Sequence, residues 1–228
     1  MKFYRLILTT AVLTTLGTFA SARDARCVDV FQGHRSYPQA DVRLVPVTTD
    51  VVYDSSLERG QLAELSDGRI ARHPDTMVNG LTVANLTSEI RGNFRMARMG
   101  DGTTCVWPSD LEVSLGYDSI TVYIAREFRP NTCRYDVTME HENTHVDINR
   151  RVLNSHAASI RESIFRSVRR RFPRSYTGST SVVSRAIRTL KDDITPRIQA
   201  MVREREAQHG ELDSPESYAY WQSLCDRW

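Results

Sequence analysis

Met139-Glu140-His141-Glu142-Asn143-Thr144-His145 carries the pattern H-E-x-x-H, inside a run from Asp136 to Phe172 that contains neither Gly nor Pro. A run without those two breakers favours a helix. On a helix His141 and His145 stand about 40° apart around the axis and roughly 6 Å apart along it, so both imidazoles can grip one ion. Glu142 lies about 100° round from His141, where its carboxylate reaches a water on that ion rather than the ion itself. This is the layout of a zinc hydrolase.

Working outward, Ser119 to Ala125 reads as a strand from its β-branched and aromatic content, and Arg129-Pro130-Asn131 breaks the chain before the motif. A strand followed by a motif helix is the order a zincin uses. Downstream, Met139, Val146, Ile148, Val152, Leu153 and Ile160 recur at spacings that suit a buried helix, with Asp136 or Thr138 as its cap. Ile148 and Val152 project near the two histidines, which places the helix inside the protein.

From Val28 to about Arg129 the chain is strand-like. Short runs at Val42 to Val47, Thr49 to Tyr53, Leu81 to Asn85, Thr103 to Trp107, Leu111 to Leu115 and Ser119 to Ala125 are separated by Asn79-Gly80, Gly100-Asp101-Gly102 and Gly116-Tyr117-Asp118. Pro46 confines the first run to a sheet edge. Thr87 to Met99 fits either a strand or a helix. From Asp136 the character turns helical: one helix to about Arg171, a break over Pro173 to Gly178, then a second region from about Ser181 to Gln208, interrupted near Pro196, with Gly210 as its stop. The expected fold class is α+β, a β-rich part over residues 27–130 followed by zincin-like helices over 136–228, as one domain of residues 23–228.

Lys2 and Arg5 precede an apolar run from Leu6 to Ala20, and Ala20-Ser21-Ala22 matches an A-x-A cleavage signal. Residues 1–22 therefore read as a secretory signal peptide, because the run falls short of the roughly 20 apolar residues that span a bilayer. The whole chain has 30 basic and 28 acidic residues; cleavage removes Lys2 and Arg5 and balances them. Without a basic surplus, nucleic acid is excluded as a partner. Cys27, Cys105, Cys133 and Cys225 form an even set in an exported chain and read as disulfides, with Cys105 and Cys133 the expected pair because they flank the strands before the motif. The cluster Arg166, Arg169, Arg170, Arg171 and Arg174 reads as a solvated helix end, or else a contact for an acidic envelope surface.

A catalytic zinc takes three protein ligands and leaves one position open. His156 is about 16 Å along the helix from His145 and Glu162 about 25 Å, both too far. The metzincin solution fails, because Ile148 stands where the Gly belongs and Arg151 where the ligand belongs. His34 and His73 lie in N-terminal loops. The second helical region offers Asp192, Asp193, Glu204, Glu206 and His209.

Glu204-Arg205-Glu206-Ala207-Gln208-His209-Gly210, followed by Tyr220-Trp221, resembles the D-x-x-T-x-H-G element that follows H-E-x-x-H in a bacterial family of predicted secreted zinc-dependent proteases, otherwise a domain of unknown function. The likeness covers roughly residues 80–225. Glu204 stands in place of the Asp and Ala207 in place of the Thr. What the resemblance implies is His209 as third ligand, with Glu204 or Glu206 as the gluzincin-like alternative.

The function expected from these residues is a secreted or periplasmic zinc metallopeptidase, with Zn2+ held by His141, His145 and His209. Glu142 acts as general base toward a zinc-bound water, and Tyr218 or Tyr220 is a candidate partner for the oxyanion. Its substrate is a peptide, a protein or a peptidoglycan peptide. The rival from another class is a non-catalytic envelope binding or assembly module with a structural zinc site, which needs four ligands and no Glu at the second motif position. A third is an unmetallated helix with paired surface histidines.

Overall fold

The computed structural model describes residues 24–32, 40–66, 78–178 and 181–226. Residues 1–22, expected from the sequence to be a signal peptide, lie outside the described residues, as do His34 and His73. In chain order the elements are α1 (Ala25–Gln32), β1 (Asp41–Val47), β2 (Val51–Asp54), α2 (Arg59–Leu65), β3 (Gly80–Arg98), β4 (Thr104–Ile124), α3 (Cys133–Arg171), β5 (Arg174–Tyr176), α4 (Val182–Leu212) and α5 (Pro215–Ser223). The fold is mixed, with strands early and long helices late, but α1 and α2 stand within the region that the sequence suggested was strands and turns.

β4 organises the sheet. β3 runs antiparallel along one edge of it, joined by the turn at Gly100-Asp101-Gly102, and Thr87 to Arg98 is strand throughout. Along the other edge β5 pairs antiparallel with Thr104 to Val106, β1 parallel with Asp110 to Gly116, and β2 parallel with Ile120 to Tyr123. Among the described residues nothing else pairs with β1, so Pro46 has the edge position its missing N–H requires.

The three short runs expected at Thr103 to Trp107, Leu111 to Leu115 and Ser119 to Ala125 are one 21-residue strand. The register slips at Ser109 and again at Asp118, each leaving one unpaired residue opposite β3. These are β-bulges, which strengthen the local twist and re-aim side chains. Leu111, Val113, Leu115 and Tyr117 are buried on odd positions, and Ile120, Val122 and Ile124 on even ones. The bulge at Asp118 supplies the change of phase that keeps one continuous apolar face against the helices. Gly116, with φ of 156°, is needed where β1 crosses closely, since a Cβ there would fall 2.0 Å from the Val47 carbonyl oxygen.

α3 begins three residues earlier than Asp136, with the Thr132 side chain accepting from the Tyr135 N–H, so neither Asp136 nor Thr138 is the cap. Its buried line runs through Thr138, His141, His145, Ile148 and Val152 to Ile160, Ile164 and Val168. The polar motif and the apolar core thus share one stripe facing the sheet and α4. Burying each Ile or Val of the stripe contributes about 1.5–3 kcal/mol.

α4 presents Ala186, Leu190, Ile194 and Met201 to the same core. The break anticipated near Pro196 does not occur, and α4 continues to Leu212. Pro196 withholds one backbone donor, a loss of about 3 kcal/mol in an isolated helix; Ile194 and Met201, packed on either side of it, hold the helix together. Gly210 likewise lies within α4 rather than ending it.

The disulfides are Cys27 to Cys105 and Cys133 to Cys225, with Cα separations of 5.4 and 5.9 Å. This corrects the pairing of Cys105 with Cys133: β4 carries those two residues to opposite ends of its length. One bridge ties α1 to the start of β4. The other ties the start of α3 to the segment after α5.

Much of the arginine cluster is internally paired. Asp193 of α4 accepts from Arg171 at 2.8 and 2.5 Å, from the Ser167 hydroxyl at 2.5 Å and from Arg170 at 3.3 Å, while Arg169 lies over Phe165 and Arg174 over Tyr176. Among the described residues no helix is long and apolar enough to cross a membrane.

Burial works to raise the Asp193 pKa, but hydrogen bonds from Arg171 and Ser167 and the Arg171 charge outweigh it and hold the carboxylate ionised below its ordinary range. A lowered native pKa adds stability that is present above the unfolded carboxylate range and lost as pH falls through the native value. Asp193→Asn is expected to lower unfolding stability by about 1–3 kcal/mol at neutral pH, and the gap from the wild-type protein should close below about pH 4. Urea titrations at both pH values check this.

Candidate metal centre

Three elements meet at the site: the N-terminal third of α3, the turn from α4 into α5, and the first residues of β3. α3 supplies His141 and His145, both buried, which excludes paired surface histidines. The turn supplies Asp213, the residue that ends α4. Ser214 then caps α5 by accepting from the Ser217 N–H, and Pro215 fills the first turn of that helix.

The Nε2 atoms of His141 and His145 lie 3.2 and 3.1 Å from one atom, Asp213 Oδ1, and the three atoms fall within 4.8 Å of one another. The Tyr218 hydroxyl donates to the same oxygen at 3.2 Å. Two imidazoles and a carboxylate are an ordinary donor set for zinc, whose bonds of about 2.0–2.1 Å at tetrahedral angles put ligand atoms about 3.3 Å apart. The observed separations fit such an ion. Convergence of both imidazoles on a single oxygen, rather than one on each, is the feature that points to a shared cation.

His209, the third ligand that the resemblance implied, stands elsewhere. One turn before Asp213 on α4, its Nδ1 lies 2.8 Å from His145 Nδ1 and its Nε2 lies 3.2 Å from the Asn149 amide oxygen. It therefore sits behind His145, and the position beside the two Nε2 atoms belongs to Asp213. Glu204 pairs with His156 at 2.8 Å, away from the group, and Glu206 is exposed on the outer face of α4. Tyr220 is 60% exposed and packs edge-on against Trp221, so of the two tyrosines only Tyr218 reaches the site.

Glu142 is buried on the opposite flank. Thr82 of β3 meets its Oε2 at 2.8 Å and its backbone carbonyl at 3.0 Å. A Cβ at Gly80 would lie 2.7 Å from both Cγ and Oε1 of Glu142, so only glycine leaves the carboxylate its place. Gly80, Leu81 and Thr82 of β3, with Glu142, His145, His209, Asp213 and Tyr218, line one cleft. Tyr53 of β2 donates to Asn143 of the motif at 2.9 Å, fixing α3 from the neighbouring strand.

The electrostatics follow the burial. Burial pushes the Glu142 carboxyl up, against the pull of His145, His141 and the Thr82 hydrogen bond. Burial would lower His145, but its hydrogen bond to Asp213 and the charges of Glu142 and Asp213 bring the net shift upward. Asp213, whose burial acts to raise it, is held well below the carboxylate range by hydrogen bonds from both histidines. His209 is lowered to about 4 by burial, with the His145 and Arg205 charges adding to the effect. Tyr218 is raised by burial and by the Asp213 and Glu142 charges, so it stays a hydroxyl donor.

Asp213, Thr82 and Asn149 were missed from sequence. Asp213 had a signal: His209-x-x-x-Asp213 repeats the four-residue spacing of His141-x-x-x-His145, just before the Ser214-Pro215 turn. Asn149 follows His145 by the same four residues. Thr82 had none, being one of two threonines in a strand of mixed polar and apolar residues.

Comparison of the chain with protein-family models, with curated proteins and with solved structures finds no match.

If the convergence on Asp213 Oδ1 is a cation site, Asp213→Asn should weaken binding of a divalent cation, read by titration calorimetry with Co2+ or Zn2+, by more than the roughly 10- to 100-fold that an outer partner costs. Unchanged affinity would show that Asp213 is no ligand.

Proposed function

We propose that the protein is an exported zinc metallopeptidase, acting in the periplasm or outside the cell, with a zincin-like arrangement of its motif helix. His141, His145 and Asp213 would hold the Zn2+. The observation that carries this reading is the placement of the buried Glu142 carboxylate in the same cleft as His145 and Asp213, two of the three convergent donors, restrained by Thr82 and Gly80.

A Zn2+ ion bound there supplies a Lewis acid that acidifies water and polarises a carbonyl group. Glu142 accepts the proton of the attacking water and returns it to the leaving amide nitrogen. Burial raises its pKa, which is the direction an acid–base group needs. Thr82 binds one carboxylate oxygen and leaves the other to face the cleft. The Tyr218 hydroxyl, 3.2 Å from Asp213 Oδ1 and kept protonated, is positioned to donate to the oxygen on which negative charge develops.

The rival, a structural site in an envelope binding module, calls for four ligands closing around the ion. Among the described residues three donors converge, and His209, one turn from Asp213 on α4, turns its Nδ1 to His145. The paired cysteines accord with an oxidising compartment. The substrate is a peptide, a protein or the peptide portion of peptidoglycan.

Glu142→Gln is expected to retain bound zinc while losing about 10²- to 10⁴-fold in the rate of peptide hydrolysis. Gly80→Ala, which drives a methyl group into the Glu142 side chain, is expected to lower the same rate with zinc still bound. Metal analysis beside a peptide-library cleavage assay reads both. Hydrolysis that survives Glu142→Gln at full rate contradicts the reading.

A further inference from the structure

A second cavity borders α3 where the sheet pairing lapses. β1 and β2 lie end to end along one edge of β4, β1 pairing as far as Gly116 and β2 from Ile120 onward. Between them the connector Thr48 to Asp50 makes no ladder with β4, opposite the stretch where β4 bulges at Asp118. A cavity of about 710 Å3 opens there, between the connector and α3. It shares no lining residue with the cleft that holds Glu142.

Its floor is apolar: Tyr117 and Ile120 of β4 and Leu153 of α3 are all buried. Its sides carry opposite charges, Arg150 on α3 and Asp50 at the end of the connector, with Asn154 one turn beyond Arg150. Among the described residues neither Arg150 nor Asp50 forms an ion pair, with the other or with any further group. Small-molecule sites have this make-up, a concavity of about 300–1,000 Å3 that is mostly apolar, with a few polar groups to orient the ligand.

We propose that this cavity binds a short peptide with free ends, its carboxylate on Arg150, its ammonium on Asp50 and an apolar side chain over Tyr117, Ile120 and Leu153. The charges choose the class. A guanidinium presents paired donors that match a carboxylate, and a carboxylate accepts from an ammonium. A ligand with a single charge leaves one wall unanswered. The volume chooses the size, since it exceeds a single amino acid and suits about two or three residues. The inference needs no metal. Free-ended peptides are what peptide-bond hydrolysis releases, so under the peptidase reading the cavity is a product-binding site outside the cleft.

The test titrates the purified protein with Leu-Leu, N-acetyl-Leu-Leu and Leu-Leu amide, reading backbone amide shifts by NMR. Leu-Leu is expected to move the signals of Asp50, Ile120, Arg150 and Leu153 and to leave those of Thr82 and Glu142 in place. Blocking either end is expected to weaken binding about 5- to 10-fold. Arg150→Ala is expected to weaken Leu-Leu by the same factor and to bind acid and amide equally. Asp50→Asn is expected to bind the free and the acetylated amine equally. No shift in the cavity, shifts confined to the cleft, or equal affinity of the wild-type protein for all three peptides overturns the proposal. Because the three peptides are compared on the wild-type protein, a variant that fails to fold does not leave the matter open. A protein that binds Leu-Leu in this cavity but takes up no divalent cation supports the proposal and refutes the metal reading.

Discussion

The meeting of His141 Nε2 and His145 Nε2 at a single oxygen of Asp213 is the constraint around which the rest is arranged. Two imidazoles and a carboxylate taken out of water are costly unless each finds a partner, and here they find one another. The arrangement dictates where elements end. α4 must stop at residue 213, although a carboxylate at a helix C-terminus is on the unfavourable end of the helix dipole. α5 starts at the next residues, so Asp213 also directly precedes a helix N-terminus, the favourable end for a carboxylate. The bridge between Cys133 and Cys225 closes the ring, joining the start of the helix that carries the histidines to the segment that follows Asp213 and Tyr218.

The second requirement is a wall opposite the histidines. β3 provides it, and the bulged β4 decides where β3 runs. By changing phase at Asp118, β4 keeps its apolar side toward α3 along its length, and this brings Gly80 and Thr82 against Glu142. A strand with no bulge would have turned its buried face over and pointed polar side chains into the core. The position of the Glu142 carboxylate thus traces back to one unpaired residue in the sheet.

The sequence was legible where a local rule acts alone. α3 could be read from the absence of Gly and Pro and from the spacing of its apolar residues, and the hairpin turn at Gly100-Asp101-Gly102 from its composition. Legibility failed where distant parts decide. Gly116-Tyr117-Asp118 has turn chemistry, yet pairing with β3 on one side and β1 on the other absorbs it as a bulge. Pro196 has breaker chemistry, yet core packing carries the helix through it. The disulfide pairing depended on the length of β4, which those same bulges had disguised. In the site, His141, Glu142 and His145 stand in one motif and announce themselves. Asp213 is 68 residues from His145 and derives its place from a helix end, which no periodicity reports.

The proposed centre is one cation shared by His141, His145 and Asp213. X-ray absorption at the zinc edge, recorded on the purified protein, measures this directly. The expected spectrum shows one zinc per chain with two imidazole nitrogens and light oxygen donors at about 2.0–2.1 Å. A protein without stoichiometric metal, or a zinc enclosed by three or more imidazoles, would contradict it.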